Sequence, residues 1–189
     1  MNLKEKLVKK IFAIVGSTRR NSSNELFLKE IQQLFIDRVE INIYTKIDQL
    51  PHFNPDLESE EVPAIVQEFR DLIKQSDGII ICTPEYVFSL PGTLKNALEW
   101  TVSTTVLSDK PAALIVASAL GEKTFESLQL IMKTLGATVT ENSKILIQGA
   151  RSKINKEGQV IDQSVIKDLK QVVESLLLGI DSPKKFIDS

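Results

Sequence analysis

Apolar residues along this chain fall into two alternating kinds of run. Short, nearly unbroken runs alternate with longer stretches in which apolar side chains recur every third or fourth position. The first short run, residues 10–15, predicts a strand, and Leu26, Phe27, Ile31 and Leu34 predict a helix over 24–35. Val39–Tyr44 alternates Val and Ile with Glu and Asn, the pattern of an exposed strand near a sheet edge. Residues 50–61, with Pro51 and Pro55, read as a loop. Pro63 opens a helix that runs to Gln75, at a position where a missing amide hydrogen costs nothing. Ile65, Val66, Phe69, Leu72 and Ile73 make its apolar face. The run GIIIC at 78–82 predicts a central strand buried on both sides. A loop over 84–92 leads into a helix from 92 to 102, followed by a strand at 112–117, a helix at 124–135 and a short strand at 145–147. The last helix spans 163–178, with Val165, Ile166, Leu169, Val172, Val173, Leu176 and Leu177 inward. Residues 181–189 read as a loose tail.

Strand and helix thus alternate five times. That predicts an α/β fold, a doubly wound five-stranded parallel sheet with helices on both faces, forming one domain over 1–180. The strand order is open between a flavodoxin-like and a shortened Rossmann arrangement. In either, ligands bind beyond the carboxyl ends of the strands, where the order reverses. The segments 16–23, 83–91 and 118–123 leave those ends of the central strands, so all three are expected to meet at one site.

Composition narrows the classes. The 189 residues are 42% hydrophobic and 25% charged, within the globular range. A net charge of −2 gives no basic footprint for nucleic acid. Cys82 is the only cysteine, so no disulfide can form within the chain, and His52 is the only histidine, which excludes a His-rich metal cluster. The amino-terminal stretch is basic and then apolar, but its apolar run is too short for a secretory signal, and no run is long enough to span a membrane. The expectation is a soluble, cytoplasmic protein. Cys82 reads as a small buried hydrophobe. His52, Arg20, Lys184 and Lys185 read as solvated residues.

Candidate chemistry begins with GSTRRNSSN at 16–24. Only Gly16 is a glycine, so this is not a GxGxxG dinucleotide loop, and no Gly-Lys-Ser/Thr follows as in a nucleotide-triphosphate loop. Instead Ser17, Thr18, Ser22 and Ser23 offer hydroxyls, Arg19 offers a guanidinium and Asn24 is placed to cap the helix. Helix amino-terminal amides add partial positive charge. The set suits a phosphate monoester, which an arginine can grip with two parallel hydrogen bonds. A plain polar turn with an N-cap serine and two solvated arginines would have the same composition. The second loop, TPEYVFSLPGTLKNALEW at 83–100, either presents backbone amides and aromatic surface to a flat ring or folds Tyr86 and Phe88 into the core.

Together, the two loops resemble the NADPH-dependent FMN reductase family. The family's first loop has the form GSxRxxSxN, matched by Gly16, Ser17, Arg19, Ser22 and Asn24. Its second is close to PEYNxSxPGxLKNAxDW, matched by Pro84, Glu85, Tyr86, Ser89, Pro91, Gly92, Leu94, Lys95, Asn96, Ala97 and Trp100. LPHFNPDLE at 50–58 also looks like the family's loop after the second strand. The sequence departs from the pattern at Val87, where the family carries asparagine, at Glu99, where it carries aspartate, and at Glu122, where many relatives have a second glycine after Gly121.

The resemblance implies a flavodoxin-like flavoenzyme that passes electrons from NADPH or NADH through bound FMN to an oxidised small-molecule acceptor. Quinones, free flavins, azo compounds and metal oxyanions are acceptors in the family. It implies that Gly16, Ser17, Thr18, Arg19, Ser22, Ser23 and Asn24 hold the FMN phosphate. Pro84, Glu85, Tyr86 and Val87 would lie along the isoalloxazine, with Ser118 and Gly121 on its other side. Glu85 and Tyr86 could instead sit at a subunit contact, and Trp100 in the core or an interface. A homodimer or homotetramer is implied, and no side-chain acid or base is needed, because the cofactor carries the chemistry. Two other readings stay open: an electron carrier of the flavodoxin kind that does not use NADPH, and a module that keeps the fold without the cofactor.

Overall fold

A computed structural model describes residues 8–59 and 61–182. Along the chain come β1 (Lys9–Val15), α1 (Ser23–Leu34), β2 (Val39–Tyr44), α2 (Pro55–Ser59), α3 (Ala64–Gln75), β3 (Gly78–Thr83), α4 (Gly92–Glu99), β4 (Ala112–Ser118), α5 (Glu122–Thr134), β5 (Lys144–Gln148) and α6 (Gln163–Asp181). The strands form one sheet in the order β2-β1-β3-β4-β5, and every neighbouring pair is parallel. This is the flavodoxin-like order, which decides the choice the sequence left open. From β1 the chain first steps outward to β2 and then returns to β3 on the other side. Its order therefore reverses between β1 and β3, the place where such sheets open a crevice.

The strands are apolar on both sides because both sides are covered. Ile11, Ala13, Val15, Ile80, Cys82, Ile115 and Ile147 pack under α1 and α6. Phe12, Ile14, Ile79, Ile81, Leu114 and Val116 pack under α3, α4 and α5. Edge strand β2 alternates buried and exposed residues, as its sequence predicts. Its Tyr44 joins Phe12 and Phe69 in an aromatic cluster with ring centroids 5.4 to 5.9 Å apart.

Three segments differ from the sequence reading. The stretch 50–61 is not all loop, since Pro55–Ser59 forms the short helix α2. The buried face of α3 includes Arg70, which is only 5% exposed. The last helix continues through Asp181, which pairs with Lys9 at 2.8 Å, so the tail does not begin there. Residues 183–189, with Lys184 and Lys185, lie outside the described residues. Among the described residues no helix is long and apolar enough to cross a membrane.

Candidate functional site

The first loop starts as a continuation of the sheet. The Gly16 amide donates to the Cys82 carbonyl at 2.8 Å, extending the pairing of β1 with β3. A Cβ on Gly16 would stand 2.3 Å from Thr83 Oγ1 and 2.5 Å from its Cβ. Glycine is therefore required by packing against β3, whatever binds in front. Ser17 is buried, and its Oγ accepts the Arg19 amide at 3.3 Å. Ser22 caps α1 by accepting the Glu25 amide at 3.2 Å, and Glu25 reaches back to the amide of Asn21 at 2.8 Å. Of the two candidates, Asn24 and a serine, the cap is thus Ser22. Asn24 is the second residue of the helix and 3% exposed. Its Nδ2 donates to the Ala117 carbonyl at 3.3 Å, and its Oδ1 accepts from Cys82 Sγ at 3.4 Å. It ties α1 to β3 and β4 beneath the loop. With Ser22 satisfying one amide of the first turn, those of Ser23 and Asn24 have no hydrogen-bond partner among the described residues. They are the unpaired donors that every helix start carries.

The second loop is fixed by its glutamate. Glu85 accepts the Thr124 amide at 2.9 Å and the Gly121 amide at 3.3 Å, so a loop following β3 caps the helix following β4. The carboxylate points at α5. Beyond it, Tyr86 and Ser89 exchange backbone bonds of 2.9 and 3.1 Å across a two-residue turn. Val87 and Phe88 occupy that turn with φ of 51° and 58°. Left-handed backbone at both central positions suits Asn-Gly, and a β-branched valine there is strained. Tyr86, Val87 and Phe88 are 52%, 95% and 71% exposed, so the aromatics are not folded into the core.

Residues of the third loop join the second. Ser118 Oγ donates to the Glu85 carbonyl at 3.5 Å. Gly121 has φ of 108°, and a Cβ there would meet Leu146 Cδ1 at 2.7 Å, so it packs against β5. Glu122 accepts from Gln148 at 2.6 Å, beside the end of β5.

These loops surround a cleft of about 560 Å3, within the range of small-molecule sites. Ser17, Arg19, Ser22, Ser23, Asn24, Pro84, Glu85, Tyr86 and Ser118 line it. Gly16, Thr18, Val87 and Gly121 do not: Gly16 and Gly121 are buried behind it, and Thr18 and Val87 point outward. Sequence reasoning missed a fourth loop. Gly149, Ala150, Arg151 and Ser152, after β5, form the remaining wall with Ala117 and Ala119. The rule that placed the other loops, that ligands gather at carboxyl ends of strands, would have found it had it been extended to the last, short strand.

Charge is unevenly spread around this cleft. Arg38 and Arg70, away from it, pair with Glu174 and Glu58. Arg19 and Arg151, in its wall, have no carboxylate partner among the described residues. Cys82 lies fully buried behind Asn24, and burial pushes its thiol well up from the ordinary value, which keeps it unreactive. No group of three or more His, Cys, Asp or Glu among the described residues could hold a metal ion. The cleft therefore offers hydroxyls, unpaired helix amides and guanidinium groups at one end. At the other it offers a rigid turn with backbone groups and an aromatic edge. That donor set fits a phosphate joined to a flat, apolar ring, as in FMN.

Comparison with known proteins gives the same answer independently. The sequence model of NADPH-dependent FMN reductases matches residues 9–151. The chain is 34% identical over 181 residues to the NADH:(hydroxy)cinnamate reductase subunit CrdA of Vibrio ruber, covering 93% of this chain and 89% of that one. It is 31% identical over 177 residues to a quinone reductase of Escherichia coli, covering 88% and 92%. Among solved structures, the flavoenzyme NAD(P)H:(acceptor) oxidoreductase FerB of Paracoccus denitrificans superposes with a TM-score of 0.81 at 30% identity, covering 92% of this chain and 97% of that one.

Proposed function

The chain belongs to the NADPH-dependent FMN reductase family, and from that membership we propose how its loops divide the work of an FMN-dependent NAD(P)H oxidoreductase. When bound, FMN supplies hydride acceptance from a nicotinamide and electron delivery to an oxidised small molecule such as a quinone or free flavin.

The protein's part is binding, orientation and electrostatics. Ser17, Ser22, Ser23 and Arg19, with the unpaired amides at the start of α1, would hold the phosphate. Asn24 works from behind, fixing that turn to the sheet. Gly16 and Thr18 shape the loop, and Gly121 and Val87 shape the neighbouring ones. Pro84, Glu85 and Tyr86 line the cleft from the β3 side and Ser118 from the β4 side, where they would flank the flavin ring. Glu85 keeps these two loops in register through its bonds to α5. None of these side chains is asked to move a proton, and the buried, unreactive Cys82 takes no part.

One observation carries the reading. The crevice at the reversal of strand order joins an unpaired helix start and an unpaired arginine to a loop held rigid by a capping glutamate. We further propose a homodimeric or homotetrameric assembly in the cytoplasm. Support comes from the exposed apolar tip at Val87 and Phe88 beside the cleft and from the supply of nicotinamide donors in that compartment. The test is purification, cofactor identification and steady-state oxidation of NADH and NADPH with a quinone and with free flavin. Bound FMN and multiple turnovers are expected. FMN without turnover would favour an electron carrier, and no flavin binding at all would reject the assignment.

A further inference from the structure

The loops of the cleft sort by the face of the sheet they feed. Those after β1 and β5 lead to α1 and α6 on one face, and those after β3 and β4 lead to α4 and α5 on the other. The charged side chains sort the same way. Arg19 comes from the β1 loop and Arg151 from the β5 loop, whereas the β3 loop brings Glu85, whose carboxylate is engaged by α5.

The segment bearing Arg151 is well anchored. Gly149 donates its amide to the Ala119 carbonyl at 3.2 Å, and Ala150 is 3% exposed. The chain then turns back through a bridge between Ile154 and Val160, and Lys153 pairs at 2.6 Å with Asp162, the cap of α6. Gly158, at the tip of that return, sits against α1: a Cβ on it would lie 3.4 Å from Leu26 Cδ2. The element is thus braced on the first turn of α1, whose leading amides are unpaired. On this anchored base the Arg151 guanidinium has no hydrogen-bond or ion-pair partner among the described residues.

Without it, the positive charge at that end of the cleft only just matches a phosphate monoester at the lower end of its charge range. A phosphate monoester carries about −1.5 to −2 at neutral pH. A helix start contributes roughly +0.5 and Arg19 one full charge, about +1.5 together, which leaves the doubly ionised monoester short by about half a charge. We propose that Arg151 is a second guanidinium for the FMN phosphate, reaching it from the β5 side while Arg19 and α1 hold it from the β1 side. This rests on the FMN reading above and adds a phosphate-binding residue, on a fourth loop, to it.

The test uses the full-length protein stripped of flavin, with FMN and riboflavin as separate fluorescence-quenching probes. Riboflavin has the same ring and ribityl chain and lacks only the phosphate. Replacing Arg151→Gln is expected to weaken FMN by roughly ten- to hundred-fold and to leave riboflavin unchanged. The Arg151→Lys variant should recover part of the loss, because lysine keeps the charge and loses the two-pronged geometry. Equal weakening of both flavins, or of neither, overturns the proposal. So does an effect confined to the KM for NADH or NADPH, which would assign Arg151 to the donor. If the unaltered protein binds neither flavin, the FMN reading fails as well; if it prefers FMN and Arg151→Gln keeps that preference, only the present proposal fails.

Discussion

Arg70 shows how one buried cation can organise a region remote from the chemistry. Its Nε donates to the Trp100 carbonyl at 2.7 Å, its terminal nitrogen to Ser103 Oγ at 3.3 Å and to Glu58, and its guanidinium lies 5.8 Å from the Trp100 ring centre. Burial disfavours the charge on Glu58, but hydrogen bonds from Arg70 and Ser103 and the Arg70 charge outweigh it, so the carboxyl sits below its ordinary value of 4.5. A lowered carboxyl stabilises the fold fully above that ordinary value and loses its contribution as pH falls through the lower folded value. Thermal melting as a function of pH should therefore fall more steeply below 4.5 in the natural protein than in Glu58→Gln. That variant should also be less stable at neutral pH, by about 3 kcal/mol, because Arg70 keeps its charge and loses its partner. Parallel pH profiles for the two proteins would contradict this. Val87 is the opposite case, a residue in a conformation that does not suit it. Left-handed backbone costs a side-chain-bearing residue about 1–2 kcal/mol, and asparagine tolerates it best. Val87→Asn should raise the melting temperature by about 2–4 °C, the shift that roughly 1 kcal/mol gives a chain of this size. No change would mean that the turn is not strained.

Among the elements, the motif at 84–100 separates into a functional half and an architectural half. Its first half forms the cleft wall. Its second half, in and after α4, holds the segment at 50–58. Asn96 Oδ1 accepts the Phe53 amide at 2.7 Å and its Nδ2 donates to the Pro51 carbonyl at 3.0 Å, while Trp100 Nε1 donates to the same carbonyl at 2.7 Å. Phe53 packs edge-on against Trp100 with ring centres 5.2 Å apart. This explains why LPHFNPDLE and KNALEW occur together in one chain: the first has few backbone partners of its own, and the second supplies them. Glu85 couples elements in the same manner, but at the cleft itself. Glu85→Ala should destabilise the protein by about 1–2 kcal/mol, as loss of a helix cap does, and Glu85→Gln by less. Hydrogen exchange at the Gly121 and Thr124 amides should quicken in the alanine variant. Unchanged exchange at both amides would show that the cap is not functional in solution.

For the whole molecule, the periodicity of apolar residues was enough to recover every strand and the long helices, because a parallel sheet covered on both faces leaves unbroken apolar runs. Topology and two loops were enough to locate most of the cleft. Short β5, with three half-buried residues, gave too weak a pattern to draw attention to the loop after it, so Arg151 was missed. The cap stayed open between Asn24 and a serine because both residue types cap helices equally well and only the backbone shows which comes first. Contacts made across the sheet, such as Asn24 to Cys82 or Glu85 to α5, have no local signature in sequence at all. Binding at a site built from four loops should act on the stability of the entire fold. With FMN at a hundred times its Kd, folding should gain about 2.7 kcal/mol, visible as a rise in melting temperature of several degrees. Riboflavin at the same concentration should raise it less.

FMN in this cleft would receive electrons from a nicotinamide and release them to a small acceptor. The most direct measurement is the visible spectrum of the FMN-loaded protein without oxygen, first with NADH or NADPH added and then with a quinone. The flavin band is expected to bleach on adding the nicotinamide and to return on adding the quinone. A flavin that stays oxidised in the presence of both NADH and NADPH, while remaining bound, would contradict it.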